Sequence, residues 1–524
     1  MNAMLPVNAL PLEIILQKLV KAGANMTSDT RALQAGDVMM AYPVGNQRQC
    51  TDNRLFIADA LSKGASVVLY EPAGLSAELQ AICLDQRCVP VKDLANQAGV
   101  IASHWYGEPS QTMRVIGVTG TNGKTSVAQW VAQALNQKNQ PSAMIGTLGA
   151  GLLDHVVPTG FTTPDAPQLQ SLLGRIKNQG ATSVAMEVSS HALDQGRIHG
   201  TYLDTAIVTN LSQDHLDYHG DMAEYALAKK KIFSQLGLKR LVINADDAFG
   251  QDCLKELGQS LVKQGGPSIW AYGTLPENLL ALPCYANTKN TGFRKVLASH
   301  IQATAQGMAF ELIVDGENAG YVKTKFIGDF NVSNALAVVA TLLAGGMSLD
   351  EVKRAIESLQ PVKGRMELIN SKSTYAPLAV VDFAHTPDAL EKVLKTLKPI
   401  AEKRQGQLWC VFGCGGDRDA TKRPLMGAIA ERYATHVMVT SDNPRSENPE
   451  LIMANIFAGF SDVSHALSNV DRATAILQVI RQAKPEDVVL VAGKGHEETQ
   501  EIAGKKTPFS DQVHLQLAME GSAR

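Results

Sequence analysis

The chain has 524 residues, of which 48 are Lys or Arg and 51 are Asp or Glu, giving a formal net charge of −3. At roughly 150 residues per domain, this length predicts about three domains. The 45% hydrophobic and 19% charged residues are typical of a globular protein. Without a basic excess, no nucleic-acid partner is expected. No apolar run approaches the ~18 residues that cross a bilayer, so membrane insertion is not expected either.

The cysteines and the first residues of the sequence point to the compartment. Seven scattered cysteines do not resemble a disulfide framework and fit a reducing environment. The first 25 residues lack a basic segment followed by an apolar core and a cleavage site, so no secretory signal is expected. We therefore predict a cytoplasmic protein, and a monomer.

Short apolar strands alternate with segments of helical periodicity along the whole chain, which predicts an α/β fold with mainly parallel sheets. The first block, residues 1–100, has strands at 37–42 and 65–70 and a helix at 56–63. The second, residues 101–345, begins with a strand at 115–118 and ends with an apolar helix at 332–344, which Gly345 and Gly346 terminate. The third, residues 346–524, has predicted strands Leu378–Asp382, Leu408–Phe412, His436–Thr440 and Val488–Ala492.

A glycine-rich turn follows the strand at 115–118 and precedes a helix with apolar residues at i, i+3, i+4, i+7 and i+8 from Val127. Unpaired N–H groups at a helix N-terminus favour a phosphate there. Lys124 can reach the outer phosphates, and Thr125 can bind Mg²⁺. Val118 stands where the strict phosphate-loop pattern has Gly. The predicted nucleotide loop consists of Gly120, Thr121, Asn122, Gly123, Lys124, Thr125 and Ser126.

Two further segments follow predicted strands in this block. Glu187 ends a strand, where an acidic side chain can hold Mg²⁺ beside a nucleotide. A strand at 205–211 leads into residues 213–219, which contain two Asp and two His. This composition fits a metal or phosphate site, and a polar loop is an equally good interpretation.

The next helix carries three consecutive lysines, residues 229–231. Tyr225, Ile232 and Leu236 mark its apolar face, and of the lysines only Lys229 lies on that face. A buried lysine is costly unless it is paired or chemically altered. Snorkelling of its stem is the ordinary outcome. Alternatively, Lys229 faces the nucleotide and reacts with CO₂ to form a carbamate, which would be a Mg²⁺ ligand.

In the third block, charged loops follow three strands at the edge where their carboxyl ends meet. Arg418 lies in the first, Asp442, Asn443, Pro444 and Arg445 form the second, and Gly493 and Glu497 lie in the third. Two guanidinium groups and a carboxylate at one edge suit a zwitterion, because guanidinium binds carboxylate and carboxylate binds ammonium.

Together these segments resemble the Mur ligase family, which adds amino acids to the peptidoglycan precursor. The resemblance rests on residues 120–125, 186–191, 214–219, 328–335 and 382–387, and residues 442–445 resemble the signature of the member that adds meso-diaminopimelate. It implies a UDP-binding domain, a central phosphate-loop-type ATPase domain and a C-terminal Rossmann-like domain. It also implies ATP-dependent formation of an acyl phosphate on UDP-N-acetylmuramoyl-L-alanyl-D-glutamate, followed by attack of the diaminopimelate amine.

The resemblance also implies roles for individual residues. Catalytic roles fall to Lys124, Glu187, His215 and Lys229. The implied Mg²⁺ ligands are Thr125, Glu187, His215 and Lys229 as its carbamate, and further ATP contacts are Asn331, Asn334, Arg365 and Asp382. The implied contacts to the UDP-muramoyl peptide are Ser28, Thr30, Asn46, Gln47, Arg48, Thr162, Thr163, Ser189, Gln195 and Arg197. The implied contacts to diaminopimelate are Arg418, Asp442, Asn443, Pro444, Arg445, Gly493 and Glu497.

Three other functions remain as alternatives. The same ligase could add L-lysine, although lysine lacks the second carboxylate that Arg445 would bind. A folylpolyglutamate synthase-like ligase would not need the first domain or the loop at 442–445. A nucleotide-gated binding protein without ligase activity would not need Lys124, Glu187, His215 and Lys229 together.

Overall fold

A computed structural model describes residues 20, 23–136, 141–261, 266–280, 293–304, 307–371, 373, 375–464 and 466–521. Three sheets follow one another along the chain. The first has four parallel strands, in spatial order Met26–Thr27, Val38–Ala41, Val67–Tyr70 and Cys88–Pro90. Its other elements are the hairpin Pro43–Gly45 and Cys50–Asp52, the 3₁₀ helix Asn53–Phe56, and helices Ile57–Ser62, Ala77–Ile82 and Leu94–Trp105.

The central sheet has ten strands. In spatial order they are Glu317–Lys323, Gly307–Val314, Phe293–Thr304, Ser268–Gly273, Arg240–Asn244, Thr205–Val208, Arg114–Thr119, Ser183–Glu187, Ser142–Gly146 and Gly149–Leu152. Pairing is parallel from Phe293–Thr304 to Ser142–Gly146, and antiparallel at both edges. The mainly parallel sheet expected from the sequence is therefore confirmed.

Helices cover both faces of this sheet, because its central strands are apolar on both sides. Lys124–Asn136 and Asp329–Ala344 pack together on one face around the buried Trp130, and Ala166–Asn178 packs on the other. The remaining helices are Pro109–Thr112, Ser190–Asp194, Leu216–His219, Met222–Lys230, Ala248–Leu261, Pro276–Leu280 and Leu349–Ser358, with 3₁₀ turns Leu153–His155 and Lys231–Ser234.

The third sheet has six strands, in spatial order Glu367–Ile369, Leu378–Asp382, Val488–Ala492, Leu408–Phe412, His436–Thr440 and Ala466–Asn469. All pairs are parallel except the first. Its helices are Pro387–Lys403, Lys422–Tyr433, Pro449–Phe457, Arg472–Gln482 and Asp511–Gly521, and a hairpin joins Thr499–Ile502 to Lys505–Pro508. Within the described ranges, no helix has the length and apolar character needed to cross a membrane.

Two local predictions were wrong. The strand expected at 205–211 ends at Val208, because the next residues bind the nucleotide loop: Thr209 Oγ1 donates to the Asn122 carbonyl at 2.6 Å. Leu236 was placed on a buried helical face but is 52% exposed. The α-helix ends at Lys230 and a 3₁₀ turn follows, which changes the angular spacing of side chains.

Candidate active site

A cleft of about 1370 Å³ lies between the central sheet and the third sheet. The strands of both parallel sheets end at it, which is where ligands bind in such sheets. We call the parts of the chain that form the first, second and third sheets the first, central and third units. The residues of the central unit that line the cleft include residues 121–126, Thr162, Glu187, Ser189, His215, Lys229, Asn331 and Asn334. From the third unit it is lined by, among others, Arg365, Asp382, Arg418, Asp442, Asn443, Arg445, Gly493 and Glu497.

The nucleotide loop joins strand Arg114–Thr119 to helix Lys124–Asn136. Gly123 has φ +86°, and a Cβ there would lie 2.4 Å from Asn334 Oδ1, so the loop requires glycine at this position. Asn210 Oδ1 accepts the Asn122 backbone N–H at 2.8 Å. The loop is therefore held in place before any ligand binds, with a helix N-terminus facing the cleft.

Lys124 folds over this loop. Its Nζ donates to the carbonyls of Gly120 at 2.8 Å and Thr121 at 2.9 Å. Burial lowers the pKa of Lys124, while the charges of Glu187 and Asp214 act in the opposite direction. The ammonium lies at the mouth of a phosphate-binding loop, where it can contact the outer phosphates of a nucleotide.

Glu187 is 1% exposed and surrounded by hydroxyl groups. Its Oε2 accepts from Thr125 Oγ1 at 3.0 Å and Thr147 Oγ1 at 3.2 Å, and its Oε1 accepts from the Thr147 N–H at 2.8 Å. In the parts of the chain that the structure describes, no three His, Cys, Asp or Glu residues form a metal cluster. A carboxylate beside a threonine hydroxyl at a phosphate loop nevertheless supplies the oxygen donors that suit Mg²⁺ with nucleotide phosphates.

His215 follows a buried carboxylate. Asp214 is 4% exposed and lies 3.4 Å from His215 Nε2, 3.7 Å from His385 Nε2 and 3.6 Å from Lys422 Nζ. Burial alone would raise the pKa of Asp214, but these neighbours hold it well below its usual value. Burial lowers the pKa of His215 to about 3, which leaves a neutral imidazole suited to metal binding.

Asp214 and Lys422 were not among the residues predicted for the site. Asp214 stood within the noted segment 213–219, where its acidic side chain was a signal. Nothing in the local sequence marked Lys422, which comes from the third unit and meets Asp214 only because the two sheets face each other.

Lys229 is 1% exposed, and its Nζ lies 4.4 Å from the ring centroid of Tyr225. Within the described residues, this Nζ has no hydrogen bond or ion pair. Burial lowers the pKa of Lys229 well below its usual value, and the charge of Lys124 lowers it further. Lys230 pairs with Glu256 and Lys231 with Asp194, so only the first of the three lysines faces inward, as predicted.

The third unit reaches across the cleft to the nucleotide loop. Arg365 Nη2 donates to Thr125 Oγ1 at 3.0 Å, and its guanidinium lies 4.3 Å from the ring centroid of Phe383. Asp382 accepts the Met366 N–H at 2.7 Å, and burial raises its pKa. On the opposite wall, Asn334 Nδ2 donates to Asn331 Oδ1 at 3.1 Å.

The two arginines predicted to bind a carboxylate are neighbours. Arg445 Nη1 donates to the Gly416 carbonyl at 2.6 Å, and Arg418 Nη1 donates to the Asp417 carbonyl at 3.2 Å. Gly493 has φ +113°, and a Cβ there would lie 2.4 Å from Asp442 Oδ2. The three loops therefore pack closely at the end of the sheet, and Pro444 is the one member of 442–445 that does not line the cleft.

Only some of the residues predicted to contact a muramoyl peptide line the cleft. Thr162 and Ser189 line the cleft, whereas Thr163, Gln195 and Arg197 do not. Arg197 donates to the Thr163 carbonyl at 2.9 Å and to Gln195 Oε1 at 2.8 Å. This arrangement supports the cleft wall from within.

The predicted UDP contacts lie outside the cleft. Ser28 Oγ donates to Asp165 Oδ2 at 2.7 Å. Asn46 Nδ2 donates to the Tyr218 carbonyl at 3.0 Å, and Arg48 Nη1 to the His219 carbonyl at 2.8 Å. Thr30 is buried and Gln47 is exposed. The first unit thus rests on the segment that carries His215.

Residues 118–342 match the family model of the Mur ligase middle domain, and residues 364–495 match the Mur ligase glutamate ligase domain. The chain is 50% identical over 506 residues to UDP-N-acetylmuramoyl-L-alanyl-D-glutamate–2,6-diaminopimelate ligase of Ralstonia nicotianae, covering 96% of this chain and 94% of the relative. It is 42% identical over 502 residues to the enzyme of that name from Coxiella burnetii, covering 96% of each.

Solved structures agree with these matches. A structure of UDP-N-acetylmuramoyl-L-alanyl-D-glutamate–2,6-diaminopimelate ligase is 35% identical, covers 95% of this chain and 94% of its own, and has a TM-score of 0.61. MurF ligase from Thermotoga maritima in complex with ADP, at 16% identity, has a TM-score of 0.61 and covers 95% of this chain and 98% of its own, which supports the fold. The resemblance stated from the motifs is confirmed: the chain belongs to the Mur ligase family of ATP-dependent ligases.

Proposed function

We propose that this enzyme adds meso-diaminopimelate to UDP-N-acetylmuramoyl-L-alanyl-D-glutamate at the expense of ATP, in peptidoglycan precursor synthesis. The observation that carries the proposal is a single cleft with Lys124, Glu187 and Lys229 on one wall and Arg418, Arg445 and Glu497 on the other. The first set suits a phosphate and the second a zwitterionic amino acid. The relatives that carry this name cover nearly the whole chain.

The chemistry must overcome the poor electrophilicity of a carboxylate. We infer that the D-glutamyl γ-carboxylate attacks the γ-phosphorus of ATP, so that ADP leaves and an acyl phosphate forms. The diaminopimelate amine then attacks the acyl carbon, the tetrahedral intermediate collapses, and phosphate leaves. Lys124 and Arg365, next to the nucleotide loop, neutralise phosphate charge in both steps, and the cleft supplies the positioning.

The incoming amino acid binds to the wall of the cleft that the third unit forms. Arg418 and Arg445 grip the distal carboxylate, and Glu497 receives the distal ammonium. The cleft would hold the other amine towards the nucleotide wall. L-lysine has no distal carboxylate and would leave Arg445 without a partner, which disfavours the lysine-adding alternative.

Mg²⁺ is the metal that this family chemistry implies, and it would neutralise phosphate charge. Thr125, Glu187 and His215 are the residues that would hold it. We propose that Lys229 joins them as a carbamate: the neutral amine adds to the carbon of CO₂ and loses a proton, giving a carboxylate on nitrogen. The buried Nζ, its lowered pKa and its lack of a hydrogen bond or ion pair among the described residues support this modification.

The remaining assignments are proposals as well. We place the three domains at residues 1–100, 101–345 and 346–524, each of which contains one of the three sheets, although helix Leu94–Trp105 crosses the first boundary. Ser28, Thr30 and residues 46–48 would bind the UDP moiety after the contacts of Ser28, Asn46 and Arg48 to the central unit rearrange. We expect a monomer acting in the cytoplasm.

A phosphate-release assay with an amino-acid panel tests the proposed function. Release should require both the UDP-muramoyl dipeptide and meso-diaminopimelate, and L-lysine should support much slower release. Release with lysine equal to that with diaminopimelate would favour the lysine-adding ligase. Release independent of both substrates would favour a nucleotide-gated binding protein.

A further inference from the structure

Lys494 is a buried lysine that the proposed mechanism does not use. Its side chain is 0% exposed, and it is absent from the lining of the cleft. It lies in the loop after strand Val488–Ala492, one residue after Gly493 and three before Glu497. A fully buried ammonium is expensive unless its donors are used, so its bonds indicate its role.

The ammonium of Lys494 joins two residues of the amino-acid site. Nζ donates to Asn443 Oδ1 at 2.9 Å and to Glu497 Oε2 at 2.9 Å. Asn443 Nδ2 also donates to Glu497 Oε2, at 2.7 Å, and the Glu501 N–H donates to Asn443 Oδ1 at 3.0 Å. Lys494, Asn443 and Glu497 therefore form a closed triangle of hydrogen bonds across two loops.

This triangle fixes the orientation of the Glu497 carboxylate. Both donors of the triangle bind Oε2, and Oε1 takes no part in it. Glu497 lines the cleft and its side chain is 32% exposed. A carboxylate held by one oxygen presents the other in a defined direction, which is the arrangement that a ligand ammonium requires.

We propose that Lys494 is a positioning residue for amino-acid selection: by holding Asn443 and Glu497 together, it presents the Glu497 carboxylate to the distal ammonium of the incoming amino acid. This inference rests on the proposed function and deepens it. Lys494 itself does not touch the substrate, because it is fully buried behind the two residues that line the cleft.

The test compares two substrates in four proteins. The substrates are meso-diaminopimelate and (S)-2-aminopimelate, which lacks the distal amino group. The proteins are the wild type, Lys494→Met, Glu497→Gln and the double variant. Methionine matches the length and apolar stem of lysine. In Lys494→Met, Asn443 Oδ1 still accepts the Glu501 N–H and Glu497 Oε2 still accepts from Asn443 Nδ2, so neither of these oxygens is left without a hydrogen bond. Lys484→Met, an exposed lysine of the same unit, controls for loss of charge.

We expect Lys494→Met to lose activity with meso-diaminopimelate but not with 2-aminopimelate. Lys494→Met should lower kcat/KM for meso-diaminopimelate about tenfold, the effect of losing one charge-assisted contact, and leave that for 2-aminopimelate nearly unchanged. KM for ATP and for the UDP-substrate should stay near the wild-type values, whereas the Tm should fall, because an ion pair of a fully buried lysine is lost. Because Lys494 acts through Glu497, the double variant should be no worse than Glu497→Gln alone.

Three outcomes would overturn the inference. Equal losses for both substrates, or additive losses in the double variant, would make Lys494 a structural residue without a role in selection. Failure of the wild type to ligate meso-diaminopimelate would instead refute the proposed function, and the inference with it, so the two failures are distinguishable.

Discussion

Arg445, a residue of the proposed amino-acid site, has an unusual backbone conformation. Its φ is +52°, a left-handed conformation that costs a non-glycine residue free energy. Two backbone bonds to the hairpin after Glu497 hold it there: Arg445 N–H donates to the Glu501 carbonyl at 3.1 Å, and Ala503 N–H donates to the Arg445 carbonyl at 2.7 Å. The strain lies at a proposed binding position, and strained backbone is common in functional sites.

Replacing Arg445 by alanine should raise the KM for meso-diaminopimelate about tenfold to a hundredfold, because a charge-assisted pair contributes about 1.5–3 kcal/mol. The KM for ATP should change little. Steady-state kinetics with each substrate varied in turn measure both effects. Arg481→Ala, an exposed arginine of the same unit, is the control. An unchanged diaminopimelate KM would remove Arg445 from the site.

Lys229→Ala should abolish ligation, because it removes the nitrogen on which the carbamate forms. A short-chain carboxylate such as acetate should restore part of the activity by occupying the space of the missing group. Ligation is measured as tripeptide product with and without added carboxylate. Lys230→Ala should retain activity, since Lys230 pairs with Glu256 outside the cleft. Full activity of Lys229→Ala would refute the carbamate.

At the scale of elements, Asp204 connects strands and a helix at the edge opposite the cleft. It pairs with Arg240 and with Arg114, whose Nε lies 3.1 Å away, and these arginines also bind the Ala344 and Thr341 carbonyls at the end of helix Asp329–Ala344. Burial raises the pKa of Asp204, but hydrogen bonds from Arg240 and Thr205 outweigh it and leave the pKa below its usual value.

Asp204→Asn should therefore lower the free energy of unfolding at neutral pH by about 1.5–3 kcal/mol, the usual contribution of hydrogen bonds to a charged group, because Asp204 and its two arginines are only partly buried. A carboxyl whose pKa is lowered by folding stabilises above its unfolded pKa of ~3.9, and this stabilisation is lost as the pH falls through the folded value. The Tm difference between wild type and variant should thus be constant above about pH 5 and shrink in acid.

Asp252→Asn is the control, because Asp252 forms an exposed pair with Lys255. This variant should lower the free energy of unfolding by at most about 1 kcal/mol. A pH-independent difference would contradict this account.

Local patterns predicted the elements well where each strand is a continuous apolar run. The strands Leu378–Asp382, Leu408–Phe412, His436–Thr440 and Val488–Ala492 have the predicted bounds. The strands Phe293–Thr304 and Glu317–Lys323 were not predicted, because their partly exposed faces give no continuous apolar run.

The site was predictable where its residues lie in contiguous motifs. Lys124, Glu187 and Lys229 could be found because each follows a strand or lies on a helical face. Lys422 could not, since its partner Asp214 is far away in the sequence. Lys494 lies beside the predicted Gly493 and Glu497, but its bond to the distant Asn443 could not be foreseen. Lys422 meets Asp214 because the central and third sheets face each other across the cleft. Lys494 meets Asn443 because two loops of the third unit pack together.

At the scale of the molecule, side chains link the nucleotide loop to the third unit. Asn122 Nδ2 donates to Asp388 Oδ2 at 2.8 Å, and Arg365 bonds to Thr125. Because the groups proposed to bind phosphate and the groups proposed to bind the amine come from different units, the proposed ligation requires the two units to be held together. The acid activated on one wall would then lie in front of the amine held on the other.

Transfer of ¹⁸O tests this central claim most directly. The D-glutamyl γ-carboxylate of the UDP-substrate is labelled with ¹⁸O, and the phosphate released during ligation to meso-diaminopimelate is analysed by mass spectrometry. If the carboxylate attacks ATP and the amine then displaces phosphate from the acyl carbon, each phosphate carries one ¹⁸O from the carboxylate. Phosphate free of label, with amide product formed, would contradict the account.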